Sequence, residues 1–343
     1  MTAREFDESD VRIRPGRRTR PRSKDRPSHS DALLALVTAV DRGRTTCITN
    51  DGVIITAMKA REMGPKSVVV GDYVNLVGDI TGTEGSLARI VSIEPRENSL
   101  SRTVDDAARV ERTIVANIDQ LVIVVAAANP EPKRGLIDRF LVCAFHEKIH
   151  PIILVTKTDI SAVPEFINEY QALGVSIMTS AIKSASKDVD LANLHAALTG
   201  KTSVLVGHSG VGKSTLINAL VPAAMRLTGD VNDATGKGRH TSSSAVALPL
   251  SSDISPSGGW IIDTPGIRAF GLAHLDSNKI VAAFEDLSEV IESCMPHCSH
   301  HEEGCALNEW AAPGGAINAE RTARVNSLRS LLELKDANPP LLD

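Results

Sequence analysis

Residues 207–214 read Gly-His-Ser-Gly-Val-Gly-Lys-Ser, which fits G-x-x-x-x-G-K-[ST]. Glycines without a Cβ let the N–H groups of Gly207, His208, Ser209, Gly210, Val211 and Gly212 turn inward on phosphate oxygens. A helix beginning at Lys213, with Leu216, Ile217 and Leu220 on its apolar side, would aim its positive end at the same anion. Lys213 is placed for the β- and γ-phosphates and Ser214 for Mg²⁺, with Thr215 continuing the cradle. The apolar run SVLV before it and the helical pattern after it make this a nucleotide-phosphate signal, but one that does not separate GTP from ATP.

A second group of residues addresses the base. Thr156-Lys157-Thr158-Asp159 closes the apolar run PIILV, and the Asp159 carboxylate suits the N1–H and 2-amino donors of guanine. Adenine lacks that donor pair, and a buried polar group left unpaired costs about a kilocalorie or more. The Lys157 stem would lie over the base, and Ser180-Ala181 would offer a main-chain N–H to guanine O6. Downstream, Trp260 to Gly266 (WIIDTPG) reads as a buried strand ending in Asp263 for the Mg²⁺ shell, with the Gly266 N–H sensing the γ-phosphate. Between cradle and strand lies Gly236 to Thr241 (GKGRHT), where Thr241 would join Mg²⁺ when GTP is bound. Singly, a lysine and an aspartate at a strand end are ordinary surface groups. Together these elements favour GTP and its hydrolysis. A P-loop ATPase with coincidental TKTD and DTPG is one alternative, and a nucleotide-gated RNA-binding module with incidental turnover is another.

A third group could hold a metal. Cys294, Cys298, His300 and Cys305 provide three thiolates and one imidazole, the ligand set of a closed structural Zn²⁺ site, with His297 and His301 as spare imidazoles. Cys47 and Cys143 stand alone, and clustered thiols in an intracellular chain point to metal more than to disulfides.

Long-range order must bring these groups together. Of the 343 residues 42% are hydrophobic but only 3% aromatic, so the cores must rest on aliphatic side chains. QLVIVVAAA, PIILVT, VSIMTS and SVLV alternate with helical stretches at LIDRFLVCAFHE, EFINEYQALG and VDLANLHAAL, the pattern of a doubly wound α/β domain. Before it, RTTCIT, Asn50-Asp51-Gly52, VIITAM, SVVVGDYVNLVGD and SLARIVSIEP suggest a small β-barrel of the OB type. Tyr73 is the only aromatic residue of that barrel, which favours contact with nucleic-acid backbone or shape over base stacking. The net charge of −5 hides a basic arm, Arg12 to Arg26, read as disordered and either merely solubilising or directed at nucleic-acid phosphates. No apolar run approaches the ~18 residues of a membrane span and no signal-peptide core is visible, so a cytoplasmic location is expected.

The order TKTD, SA, GHSGVGKS, GRHT, DTPG resembles the circularly permuted GTPases. With the barrel before it and the Cys/His cluster after it, the chain resembles the bacterial ribosome small-subunit-dependent GTPase A family, including ANIDQLVIVVAA, LIDRFLV and VGDYV. The resemblance implies a multidomain chain. Its parts would be a basic arm over 1–30, an OB barrel binding RNA or ribosome over 31–106, a permuted GTPase over 107–275 and a helical zinc domain over 276–343. It also implies GTP/GDP, Mg²⁺ and one Zn²⁺ as cofactors. The implied role is maturation of the small ribosomal subunit through contact with it and its rRNA, with no membrane partner, and a monomer is expected. Three departures stand out. Thr156 replaces the usual Asn of the base reader, which in the family mainly ties the reader to the P-loop. Ile267 follows DTPG where Ras-like enzymes place a water-orienting Gln, leaving His240 as the candidate to position water, or else a contact to RNA or solvent. The cysteine spacing, C-x3-C-x-H-x4-C, is one residue shorter on each side than the family's C-x4-C-x-H-x5-C.

Overall fold

The computed structural model describes residues 31–41, 43–63, 68–103, 111–182, 187–221, 245–250, 256–264, 277–282, 284–312 and 316–336. The basic arm, His240, Thr241 and Gly266 lie outside the described residues.

The chain begins with five strands: β1 (Leu33–Asp41), β2 (Arg44–Thr49), β3 (Ile54–Lys59), β4 (Tyr73–Gly78) and β5 (Ala88–Ile93). They pair in the circular order β1-β2-β3-β5-β4-β1, with β3 and β5 parallel and the other neighbours antiparallel. This is a closed barrel, so none of its strands is left as a free edge. Its interior alternates along each strand, as the pleat requires, and holds Ala35, Val37, Cys47, Ile55, Val74, Leu76 and Ile90. Small and branched side chains fill it without any aromatic ring, which accounts for the low aromatic content here. Burial pushes the Cys47 thiol up to about 12, so it is an inert core group.

A hairpin of β6 (Ser99–Thr103) and β7 (Glu111–Ala116) leads into the second layer. There β8 (Gln120–Ala126), β9 (His150–Thr156), β10 (Ser176–Ser180), β11 (Thr202–Val206), β12 (Val246–Pro249) and β13 (Trp260–Asp263) form the order β10-β9-β8-β11-β13-β12. All are parallel except β12, which runs antiparallel to β13 and meets β1 of the barrel at Ala39 and Val246. The run LVIVVA is uninterrupted because both faces are covered. Leu121, Ile123 and Val125 join one core with Phe140, Ile153 and Phe284, whereas Val122, Val124 and Ala126 join another with Leu194, Leu216 and Ile217.

Helix α1 (Arg134–His146) covers the first face, and α2 (Lys187–Leu198) and α3 (Lys213–Leu220) cover the second. The helix expected at EFINEYQALG is present over Glu165–Leu173 as a 3₁₀ helix, ending at Gly174 in the left-handed region (φ 72°). The tail carries α4 (Ser277–Ala282), α5 (Glu285–Ile291), α6 (Ala306–Trp310) and α7 (Ala316–Asp336). Arg324 on α7 pairs with both oxygens of Asp286, stacks on Phe284 and donates to the Ala172 carbonyl at 3.3 Å, so one side chain ties the tail to the α/β layer.

The barrel and the α/β layer meet through a polar seam. The Asp72 carboxylate is wholly buried, accepts Val69 N–H at 2.8 Å and takes two bonds from Arg96, at 2.7 and 2.9 Å. Asn117 Nδ2 donates to the Gly71 carbonyl at 2.8 Å, and Asn98 bonds both main-chain groups of Ile118 at 2.8 and 2.9 Å. A Cβ at Gly71 would sit 2.0 Å from the Ala116 carbonyl oxygen, so only glycine permits this approach. The VGDYV and ANID segments thus hold the two layers together.

Candidate nucleotide site and metal centre

The cradle spans the gap between β11 and α3 at the carboxyl end of the parallel sheet, where open α/β sheets bind their ligands. Gly207 (φ 145°) packs so tightly on β8 that a Cβ would lie 2.2 Å from the Val124 carbonyl oxygen. Gly212 caps α3 at φ 101°. Val211 between them is buried in the second core and anchors the loop by its side chain. Lys213 Nζ donates to the carbonyls of Gly207 at 2.7 Å and His208 at 2.9 Å, folding across the cradle that it would share with phosphate oxygens. Burial lowers the Lys213 pKa, a shift opposed by Asp263 nearby. Burial likewise raises that of Asp263 against the pull of Lys213 and the Thr264 N–H. A cation beside a half-buried carboxylate suits a phosphate and its counter-ion. His208 is exposed, with Nδ1 2.8 Å from the Ser209 carbonyl oxygen. Ser209, Gly210, Ser214 and Thr215 are exposed along the same rim.

The residues expected to read the base, Thr156 to Asp159, lie beside the cradle, although they precede it in the chain. Thr156 ends β9 and is 3% exposed, and its Oγ1 lies 2.6 Å from the Val211 carbonyl oxygen and 3.1 Å from that of Val125. The hydroxyl thus ties the end of β9 to the loop between β11 and α3. A hydroxyl has one proton and serves one of these carbonyls at a time, with no donor left for the base. Lys157 follows in the left-handed region (φ 59°), with its ammonium on the Asn129 carbonyl, and Asp159 is exposed just beyond. Ser180 pairs in register with Thr156 on the neighbouring strand and its Oγ is buried without a partner among the described residues. The Ala181 N–H donates to Asp190 Oδ2 at 2.8 Å, a contact that nothing in the local sequence pattern signals. At the far side Asp263 ends β13, and the hydroxyl of buried Thr264 donates to the Leu205 carbonyl at 3.1 Å, holding that strand end against β11.

The structure brings Cys294, Cys298, His300 and Cys305 together with their ligand atoms within 4.8 Å of one another. The Cys294 and Cys305 sulfurs are 3.7 Å apart, and His300 Nδ1 lies 3.8 and 4.0 Å from them. A tetrahedral ion with metal–sulfur bonds of about 2.3 Å has sulfur–sulfur edges of about 3.8 Å, so the cluster fits such an ion despite its shortened spacing. Left-handed backbone at His297 (φ 64°) and His300 (φ 69°) makes the tight turns that the shorter loop needs. Glu302, which no ligand spacing singles out, accepts the Ser299 N–H at 2.9 Å and the Cys298 thiol at 3.1 Å. Arg329 of α7 grips the outside of the loop through the His300 carbonyl and Asn308 Oδ1, each at 2.7 Å.

Two solved structures share the fold: YjeQ from Thermotoga maritima (TM-score 0.63, 23% identity, 88% of this chain and 99% of that one) and YloQ, described as a circularly permuted GTPase (TM-score 0.62, 23% identity, 92% and 99%). The fold defines the class: a circularly permuted P-loop GTPase with a barrel ahead of it and a Cys/His cluster behind. A family model for the RsgA GTPase matches residues 93–273. Proteins named small ribosomal subunit biogenesis GTPase RsgA from Pseudomonas aeruginosa (strain LESB58) and Alcanivorax borkumensis are each 37% identical, over 71% and 78% of this chain and 70% and 74% of theirs. The chain belongs to the RsgA GTPase family.

Proposed function

We infer that this protein hydrolyses GTP and acts in the biogenesis of the small ribosomal subunit, the role that its relatives' names state. The observation that carries the reading is the contact between Thr156 and Val211, which joins a guanine reader to a phosphate cradle 55 residues later in the chain. In this reading Asp159 takes the guanine donors, Lys157 covers the base, and the cradle N–H groups with Lys213 hold the phosphates. Ser214, Asp263 and Thr241 are the groups for Mg²⁺, which when bound supplies positive charge to the phosphate oxygens. Gly266 would sense the γ-phosphate and His240 would orient the water for in-line attack. The chain's own contribution to the barrier is positioning and fixed positive charge, as is general for phosphoryl transfer.

Zn²⁺ is the ion we assign to the Cys/His cluster, on its donor set and spacing. Barrel and tail would be the platforms for ribosomal RNA, the protein acting as a monomer in the cytoplasm. Among the described residues no helix is long and apolar enough to cross a membrane. The test is GTP turnover by the purified chain with and without small ribosomal subunits. Turnover raised by the subunits and abolished in Lys213→Ala is expected, whereas equal turnover of ATP and GTP, or no response to subunits, would refute it.

A further inference from the structure

The corner that should read guanine O6 is already occupied by the protein. Ala181 is the first residue past β10, beside the reader on β9, and its N–H points to Asp190 Oδ2 at 2.8 Å. One N–H carries one proton, and a carboxylate is a stronger acceptor than the keto oxygen of a base. A carboxylate left in place would also repel the partial negative charge on O6. Ser180, 1% exposed, places at the same corner a hydroxyl that has no partner among the described residues. Asp190 lies in the first turn of α2, where the helix N-terminus favours a carboxylate even when Ala181 releases it.

We propose that Asp190 competes with guanine for the Ala181 N–H and so sets how tightly, and for how long, this chain holds its nucleotide. The inference rests on the guanine-reading assignment of Asp159 and Ala181. A contact that merely positioned the loop would have the opposite sign, because removing it would loosen the site and weaken binding. The competitor acts only on bases with an oxygen at position 6. A 6-amino base brings a donor there, which Asp190 would accept instead of opposing.

The test measures affinity and dissociation rate for GDP and for 2,6-diaminopurine riboside diphosphate, using the full chain, Asp190→Ala and Asp190→Asn. Asp190→Ala should bind GDP about fivefold or more tightly, through slower release, as expected for one charge-assisted hydrogen bond no longer displaced. Asp190→Asn keeps the shape and an accepting oxygen but loses the charge, and should fall between. The diaminopurine nucleotide should gain nothing in either variant. GDP affinity unchanged or reduced in both variants overturns the proposal. The GDP-to-ADP ratio of the parent chain separates the two levels of the argument: no guanine preference there removes the reader itself, whereas a clear preference with unresponsive variants removes Asp190 alone.

Discussion

Replacing Thr156 by valine deletes one hydroxyl and almost nothing else. The side chain is 3% exposed, so water cannot take over its role, and the methyl that replaces the oxygen has nearly the same size. The Val211 carbonyl, 2.6 Å away, loses its close donor, and the Val125 carbonyl at 3.1 Å loses its alternate one. A buried acceptor left unsatisfied costs about 1–3 kcal/mol. Val211 stays anchored by its buried side chain, so the cradle should keep its path while its carbonyl, and with it the neighbouring N–H groups, gains freedom. Nucleotide binding must then restore that order; if about 1 kcal/mol of the cost is recovered only on binding, then at about 1.4 kcal/mol per factor of ten GDP binds roughly fivefold more weakly. The loss should appear in the dissociation rate of a fluorescent GDP analogue, with preference for guanine over adenine intact because Asp159 is untouched. Thr156→Ser restores the hydroxyl and should recover the parent rate. If Thr156→Val releases GDP at the parent rate while folding normally, the hydroxyl does not join reader to cradle and the argument fails.

Other changes probe the remaining parts of the molecule. Arg96→Met removes both guanidinium bonds from the buried Asp72 carboxylate, which keeps the Val69 N–H, and should destabilise the barrel by about 3–5 kcal/mol in urea titrations, with Asp72→Asn on top of it recovering part of the loss. Metal analysis should find one Zn²⁺ per chain, and Cys294→Ser should lose it together with amide-exchange protection over residues 294–310, while guanine nucleotide still binds. Asp138 accepts the Tyr170 hydroxyl at 2.7 Å, yet burial raises its pKa above the usual value. A raised folded pKa means that the native state binds the proton more tightly, so this stabilisation is complete at acid pH and lost as pH rises through the folded pKa. Asp138→Asn should therefore raise stability at neutral pH, with the gain shrinking in acid. A gain that grows on acidification would contradict that assignment.

What was legible in the sequence was local. The strand–loop–helix setting of the phosphate cradle and the Cys/His cluster are each written within a dozen residues, because they depend on main-chain geometry and ligand spacing over one or two turns. The unbroken apolar strands likewise announced a sheet covered on both faces, and Asn50-Asp51-Gly52 announced a hairpin. Over Glu165–Leu173 apolar spacing did not specify the kind of helix, because Ile167, Tyr170 and Leu173 recur every three residues while Phe166, Tyr170 and Leu173 recur by four and three, so the same side chains fit either period.

Only the tertiary structure decided the contacts between distant parts. The barrel closes through a parallel β3–β5 pair and the β1–β4 seam, and β1 meets β12 across more than half the chain. Register between strands far apart depends on which faces find a common core, a property of the whole packing. The same holds for Asp72 with Arg96, Thr156 with Val211 and Ala181 with Asp190. Each is a polar group that burial obliges to find a partner, and the folded chain alone determines which partner is within reach. The residue types suggested a guanine site, while the contacts of Thr156 with Val211 and of Ala181 with Asp190, on which the proposed control of nucleotide release rests, form only once the strands are side by side.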